Sequence, residues 1–533
     1  RKLGVSYGWA RTCDFSADII ELRPTKTEFK VFEEDKELGV VTLGIPGRHN
    51  VLNALAAIGL ATRLGVPFDK VREALESFRG ARRRFESKYQ SESFQIIDDY
   101  GHHPTEIKAT LATARALKPK RLVCLFQPHR YSRTQLLKKE FGGAFGDADV
   151  LCVTDVYAAS EKPLPGVSGE TIVEEVRAQS KVDCYSTPTL IEARDRIANM
   201  LKPGDLLITL GAGNVHEVGR ALARDLAVLE NLSQILEQQG GGVVKLYEPM
   251  ANHTTIRIGG PAQYWIEPYT VAGFQQVVRK LREGSIPIRV IGRGSNLLVR
   301  DGGIRGAVIH PSKGEFEEVS VNGPLLTAGA GARFKKIASA ARNAGLSGFE
   351  WMEGIPGNLG GCLRMNAGAM GSQTFDQVVS VRFIDGGGEV REKTKEQIPH
   401  AYRSVPEFDY HYAVSAVLKG QPAETKDIDA KMDASHHHRR ETQPVGASAG
   451  CIFKNPTAIP AGKLVDEMGF KGKGRGPAVV SLEHGNFILN SGGAKARDVM
   501  DLIGDIRHRA MQERGITLDT EVQIIGEEQV IPL

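Results

Sequence analysis

The stretch Ser448-Ala-Gly-Cys-Ile-Phe-Lys-Asn-Pro456 combines small residues with a single thiol, an apolar ring at Phe453, and a lysine and asparagine able to grip a polar substrate. Small residues let a backbone approach a ligand closely, and a thiol with an ordinary pKa of about 8.5 is a far better acid than an alcohol. The chemistry that suits Cys451 is proton donation. The plain alternative is a buried strand cysteine, the common fate of free cysteines.

Two glycine-rich segments stand upstream. Gly292-Arg-Gly-Ser-Asn296 follows the apolar run Ile286 to Ile291 and can align backbone N–H groups into an anion-binding nest. It lacks the third glycine of a dinucleotide fingerprint and no helix clearly follows. Residues 354–371 hold six glycines in eighteen positions, while Ile355, Leu359, Leu363 and Met365 are spaced for burial. A flexible linker does not need that spacing, whereas a backbone lying against a flat ligand and its phosphates does. Together they suggest one dinucleotide held between two small subdomains. His436-His-His438 could suggest metal, but three adjacent histidines on a helix cannot converge on one ion, so no metal is expected.

The first half offers polar clusters at strand ends: Asp98 to Glu106, Gln127 to Arg133, Asp155 to Glu161 and Gly211 to Asn214. Three of them follow the apolar runs Arg121–Phe126, Asp149–Thr154 and Asp205–Leu210, and the fourth follows Phe94 to Ile97. Apolar strands alternating with helical stretches indicate a parallel α/β sheet, whose ligands lie beyond the strands' carboxyl ends.

At 533 residues the chain exceeds one core. A net charge of +4 without a basic block points to neither nucleic acid nor membrane. No apolar run approaches the roughly 18 residues of a membrane span. The six cysteines lack metal or disulfide spacing, which suits a reducing cytoplasm. The chain begins with Arg1 instead of Met, so an incomplete amino end is expected. A helix from His216 to Leu236 followed by three glycines reads as a boundary, with 237–243 a flexible linker.

From about Tyr247 onward the motifs resemble those of the UDP-N-acetylenolpyruvoylglucosamine reductases, in the compact subtype. They are His253-Thr-Thr with Gly259-Gly-Pro-Ala262, Gly292 to Leu297, Gly354-Ile-Pro-Gly357, Met365-Asn-Ala-Gly-Ala369, Tyr402-Arg403, Ser448 to Pro456 and Thr520-Glu-Val522. The resemblance implies a two-subdomain FAD-binding α+β fold (PCMH/VAO-like) at 244–425, an α+β substrate domain at 426–513, and a return to the FAD domain at 514–533. It implies that NADPH reduces bound FAD, which passes hydride to C3 of the enolpyruvyl ether of a UDP-sugar. Arg403 would then stabilise the enolate-like charge, Glu521 would help polarise the carboxylate, and Cys451 would protonate C2. Relatives carry serine at that last position. Implied cofactor contacts are Arg257, Gly292, Gly294, Ser295, Asn296, Ile355, Gly357, Gly360, Asn366 and Ala367. Implied substrate contacts are Tyr402, Lys454, Asn455 and Arg439, with Arg440 beside it.

The first half resembles the UDP-N-acetylmuramate–L-alanine ligases through Gly47-Arg-His-Asn-Val-Leu-Asn53, Gly80-Ala-Arg-Arg-Arg-Phe85, Asp98 to Glu106, Phe126 to Tyr131 and Gly211 to Asn214. The implied parts are a remnant of the central domain at 1–46 and a Rossmann-like C-terminal domain at 47–236. Asn50, Arg84 and Asp99 would face nucleotide, and His102, His129 and Arg130 substrate. No Gly-x-x-x-x-Gly-Lys-Ser/Thr phosphate cradle occurs in the chain, so ATP and Mg²⁺ are expected only with a complete ligase upstream. The expectation is a complete reductase joined to an incomplete ligase. The alternatives are part of a bifunctional enzyme, or a ligase remnant kept as a binding module.

Overall fold

The computed structural model describes residues 4–23, 26–45, 47–78 and 82–533. Gly80 and Ala81 of the ligase-like motif and the terminal Arg1 lie outside the described residues. The chain divides into two compact units, one reaching Leu226 and one starting at Ala227.

In the first unit, three antiparallel strands, Phe15–Leu22, Thr27–Glu33 and Lys36–Leu43, bring Phe15, Ala17, Phe29, Val31, Val41 and Leu43 into one core. The helix Arg48–Arg63 buries Val51, Ala54, Leu55 and Ile58 in the same core as Phe15, Phe29 and Val31. The boundary expected at 46/47 therefore cuts through one core: sheet and helix each need the other's apolar face.

The larger sheet of this unit runs in the order Glu86–Gln90, Phe94–Asp99, Asp205–Leu210, Arg121–Phe126, Val150–Val153, Asp183–Ser186. All but the first are parallel. Asp205–Leu210 is buried along its whole length, as a strand covered on both faces must be. A buried carboxylate braces it: Asp98, fully buried, accepts from Arg83 Nε at 3.0 Å and from Thr209 Oγ1 at 2.7 Å. Arg83 also reaches the carbonyls of Gly211 and Gly213 at 2.5 and 2.8 Å. Asp98→Ala leaves the part-buried Arg83 guanidinium without its carboxylate and should lower this unit's stability by about 3 kcal/mol, seen as an earlier urea midpoint, with Asp98→Asn milder.

The expected linker at 237–243 is structured instead. The helix His216–Gln238 includes its first two residues, and the division between the units falls within that helix. Gly240 and Gly241 have φ of 96° and 100°, and the Gly241 N–H returns to the Leu236 carbonyl at 2.7 Å. This is a glycine cap that closes the helix end. Thr270 Oγ1 holds the Gln239 carbonyl at 2.5 Å, and Gly242 opens the next strand.

The second unit holds three principal sheets. One runs Gly242–Pro249, Pro261–Pro268, Ile304–Ile309, Ile288–Val290. A second runs Val319–Asn322, Leu325–Gly329, Tyr412–Lys419, Val378–Ile384, Val390–Thr394. The third runs Ser448–Cys451, Phe487–Asn490, Ala478–Val480, Gly474–Arg475, and its core is shared with the helix Ala496–Arg514. Gln523–Ile525 then pairs parallel with Leu297–Val299. The helix Thr425–Thr442 packs Met432 against the core of the second sheet, so the boundary expected at 425/426 lies nearer the start of Ser448–Cys451.

Candidate functional site

A cavity of about 380 Å³ opens among the lobes of the second unit. Its walls are the Gly292–Asn296 turn, the segment from Ile355 to Ala369, the Ser448–Cys451 strand and Glu521. The turn forms because Gly294 adopts φ 66° where a Cβ would stand 2.2 Å from the His253 carbonyl oxygen. Gly294→Ala should displace the turn, with a left-handed penalty of about 1–2 kcal/mol before the clash is counted. The expected result is a lower Tm together with weaker retention of the expected dinucleotide on gel filtration.

Asn296 is fixed by donating from Nδ2 to the Glu521 carbonyl at 3.1 Å. In the second glycine-rich segment the helix Leu359–Met365 buries Leu359 and Leu363, and its left-handed cap is Asn366 at φ 39°. The Asn366 side chain is buried and spent on Gln373, Phe375 N–H and the Ala401 carbonyl. It shapes the loop and does not line the cavity.

Cys451, Arg403 and Glu521 all line this cavity. Arg403 Nε donates to Glu521 Oε1 at 2.7 Å, and its Nη2 reaches the Gly368 carbonyl at 3.3 Å. Arg403 holds φ 56°, a left-handed conformation that a side chain other than glycine adopts at a cost and that recurs at functional sites. Cys451 follows Gly450, whose φ of 76° forms an irregularity in the pairing with Phe487–Asn490 and turns the strand at the cavity wall. Burial pushes the Cys451 thiol up to about 11, Glu521 adding to the rise while Arg403 and Arg439 oppose it. The thiol is therefore less acidic than its unperturbed type, and it stays protonated at neutral pH.

Of the other expected contacts, Gly292, Gly294, Ser295, Asn296, Ile355, Gly357, Gly360, Ala367 and Arg439 line the cavity. Arg257 does not; it lines an adjoining outer cleft of about 1020 Å³. Arg293 and Arg439 border both spaces, and burial lowers the pKa of the Arg439 guanidinium. Of the three adjacent histidines, only His436 borders the cleft. Lys454 and Asn455 border neither space, because the chain turns away after Phe453. Lys454 N–H bonds the Asp519 carbonyl at 2.9 Å, and Asn455 Oδ1 accepts from Ala461 N–H at 3.0 Å at the start of the helix Ala461–Glu467. Tyr402 is exposed, its ring centre 5.0 Å from the Arg403 guanidinium carbon. Sequence reasoning missed Asn486, which exchanges two 2.8 Å hydrogen bonds with the Phe453 backbone and fixes the strand's exit. A lone buried asparagine in a loop gives no periodic signal.

In the first unit, Asp99 is buried and its oxygens are taken by Phe85 N–H, Gly101 N–H and Thr110 Oγ1. It builds the strand-end loop. Asn50 is buried at the start of its helix, next to His49, which lies within electrostatic reach of Asp99 and Arg84. Arg84 is half exposed, 4.0 Å from Glu106. His102 and His129 approach to 5.6 Å between ring centres, and Tyr157 stacks on His129 at 5.7 Å. Arg130 follows at φ 71°. Burial, His102 and nearby arginines lower the His129 pKa.

A cavity walled by two glycine-rich segments on adjoining α+β lobes has the form of a dinucleotide-binding site. Open space supports this: a Cβ on Gly361 would meet nothing within 4 Å, and one on Gly292 or Gly450 nothing nearer than 3.5 Å. These glycines leave room where a cofactor would lie. Sequence comparison agrees. Residues 262–394 match the family model described as FAD binding domain, and 442–525 that of the UDP-N-acetylenolpyruvoylglucosamine reductase C-terminal domain. Residues 83–213 match the Mur ligase, glutamate ligase domain.

The reductase of Anoxybacillus flavithermus is 39% identical over 301 residues, covering 56% of this chain and 99% of that protein. That of Clostridioides difficile is 40% identical over 300 residues, covering 56% and 97%. The chain thus belongs, through its second unit, to the UDP-N-acetylenolpyruvoylglucosamine reductase family. The crystal structure of that reductase from Thermus caldophilus aligns with a TM-score of 0.46 and 34% identity over 53% of this chain and 98% of that one. The first unit is 45% identical over 227 residues to the UDP-N-acetylmuramate–L-alanine ligase of Trichlorobacter lovleyi, and spans about half of that protein's length. A reductase is fused behind a ligase C-terminal fragment. Among the described residues, no helix is long and apolar enough to cross a membrane.

Proposed function

We propose that this protein reduces UDP-N-acetylenolpyruvoylglucosamine to UDP-N-acetylmuramate in the cytoplasm, with NADPH as reductant. The observation that carries this reading is the meeting of a protonated thiol, an arginine–carboxylate pair and two glycine-rich walls in one cavity. FAD, when bound, supplies hydride transfer from NADPH to the enolpyruvyl C3. The glycine walls would hold that cofactor, with the Gly292–Asn296 amides at its diphosphate.

The remaining work falls to the side chains. As C3 gains hydride, negative charge grows on C2 and its carboxylate. Arg403 presents fixed N–H donors to that charge, and Glu521, by accepting from Nε, orients the fork. Cys451 Sγ–H then gives its proton to C2. Arg439, half buried and without a carboxylate partner among the described residues, suits the diphosphate of the UDP-sugar.

The purified chain should carry the visible absorbance of bound flavin and lose it on adding NADPH anaerobically. A colourless protein that stays colourless after incubation with FAD sinks the assignment. The thiol's position also sets a pH profile. A proton donor works while protonated, so kcat/KM should hold level through pH 9 and fall only as pH nears about 11. An alkaline limb at the ordinary thiol pKa, about 8.5, would assign the proton to another group. For the first unit, the absent phosphate cradle means that ligation needs residues beyond this sequence.

A further inference from the structure

Arg403 is held from two sides. Its backbone sits in a tight turn, where the Ala401 N–H bonds the Ser404 carbonyl at 2.9 Å and the Ser404 N–H returns to the Ala401 carbonyl at 3.2 Å. Its Nη2 reaches the Gly368 carbonyl at 3.3 Å, and Gly368 pairs with Gln373 across a two-stranded hairpin. Packing does little to fix the turn: Val405, the next residue, is buried, but Ala401, Tyr402 and Ser404 are exposed. A left-handed residue such as Arg403 persists only where its surroundings over-determine it.

One side chain bridges both supports. Asn366 is 1% exposed, and its Nδ2 donates to the Ala401 carbonyl at 3.2 Å and to Gln373 Oε1 at 3.0 Å. Its Oδ1 accepts from the Phe375 N–H at 3.1 Å. The partners fix the orientation of the amide, since a backbone carbonyl only accepts and a backbone N–H only donates. Both Nδ2 hydrogens are thus committed, one to the turn that carries Arg403 and one to the hairpin strand opposite Gly368. Capping the helix Leu359–Met365 does not require this side chain. At φ 39° glycine would serve, with less conformational strain.

We propose that Asn366 is a positioning residue for Arg403, tying the Ala401–Ser404 turn to the Gly368–Gln373 hairpin so that the guanidinium is held at the cavity wall. The proposal rests on the reductase reading, in which Arg403 meets the charge growing on the enolpyruvyl carboxylate. Asn366 acts through Arg403 and does not itself line the cavity. The Phe375 ring stacks on His400 at 4.5 Å, a second tie between the same segments that remains when the amide is removed.

Asn366→Gly separates cap from clamp, because it keeps the left-handed cap and deletes all three hydrogen bonds. In stopped-flow absorbance, reoxidation of the reduced flavin by the enolpyruvyl substrate should slow about 10- to 100-fold, the scale of a small misplacement of a reacting group. Flavin content and reduction by NADPH should match the parent. Added to Arg403→Ala, Asn366→Gly should bring no further loss, as expected of two residues on one path. Hydrogen exchange read by mass spectrometry tests the clamp without turnover: the Ala401 and Ser404 amides should exchange about ten-fold faster. Unchanged reoxidation or unchanged exchange in Asn366→Gly overturns the proposal. So does lost flavin, equal slowing of both half-reactions, or a full extra loss on the Arg403→Ala background. Should Asn366→Gly fail to fold, Gln373→Ala removes one tie and decides by the same readouts. The two readings fail separately. If Arg403→Ala leaves reoxidation intact, the reductase role given to Arg403 falls, whereas a loss in Arg403→Ala with none in Asn366→Gly sinks only the clamp.

Discussion

Cys451→Ala should cut turnover of the enolpyruvyl substrate by about 10²–10⁴-fold, the usual worth of a positioned general acid. Reduction of the bound flavin by NADPH should continue, because the thiol touches only the later proton transfer. Stopped-flow absorbance separates the two halves: bleaching by NADPH persists, and recovery on adding the UDP-sugar is lost. Cys451→Ser keeps a hydroxyl donor at the same backbone position, so it should retain appreciable turnover. If both halves survive in Cys451→Ala, the proton comes from elsewhere. If Cys451→Ser is as inactive as alanine, the pocket depends on sulfur in a way its geometry does not reveal.

The second large effect belongs to Arg403. In the mechanism proposed, Arg403→Ala removes the donors that would face the developing carboxylate charge, and it leaves Glu521 in the cavity without its 2.7 Å partner. Loss of one such donor costs about 10²–10³-fold in kcat, and an unpaired carboxylate beside an anionic substrate adds to it. Glu521→Gln keeps an acceptor for Nε and should cost less. Because the two side chains act as a pair, the double variant Arg403→Ala with Glu521→Gln should lose less than the sum of the single costs. Strict additivity in steady-state kinetics argues that they work independently.

Part of this architecture is written locally. The strands Arg121–Phe126 and Asp205–Leu210 have the bounds read from the sequence, because each is a short apolar run buried on both faces. Asp183–Ser186 was not legible: it is short, half polar and lies at the sheet edge. Domain limits were harder, since glycines that look like a linker at 240 and 241 instead close a helix.

The site divides similarly. Cys451, Arg403 and Glu521 sit in motifs that locate them, and all three reach one cavity. Lys454 and Asn455 sit next to Cys451 in sequence, yet the turn held by Asp519 and Ala461 carries them away. Adjacency in sequence does not survive a change of chain direction. Arg83, which clamps the Gly211–Gly213 loop, stands in a run of three arginines, and nothing in that run marks which will be buried.

The strand Gln523–Ile525 pairs with Leu297–Val299, and Asn296 grips the Glu521 carbonyl across 225 positions of chain. During synthesis the glycine turn thus emerges long before the segment that seals it. The Leu297–Val299 strand and the Glu521 side of the cavity cannot take their final pairing on a nascent chain until residue 525 has been made. Such a long loop also makes closure a late, slow step, with the Leu297–Val299 edge unpaired meanwhile.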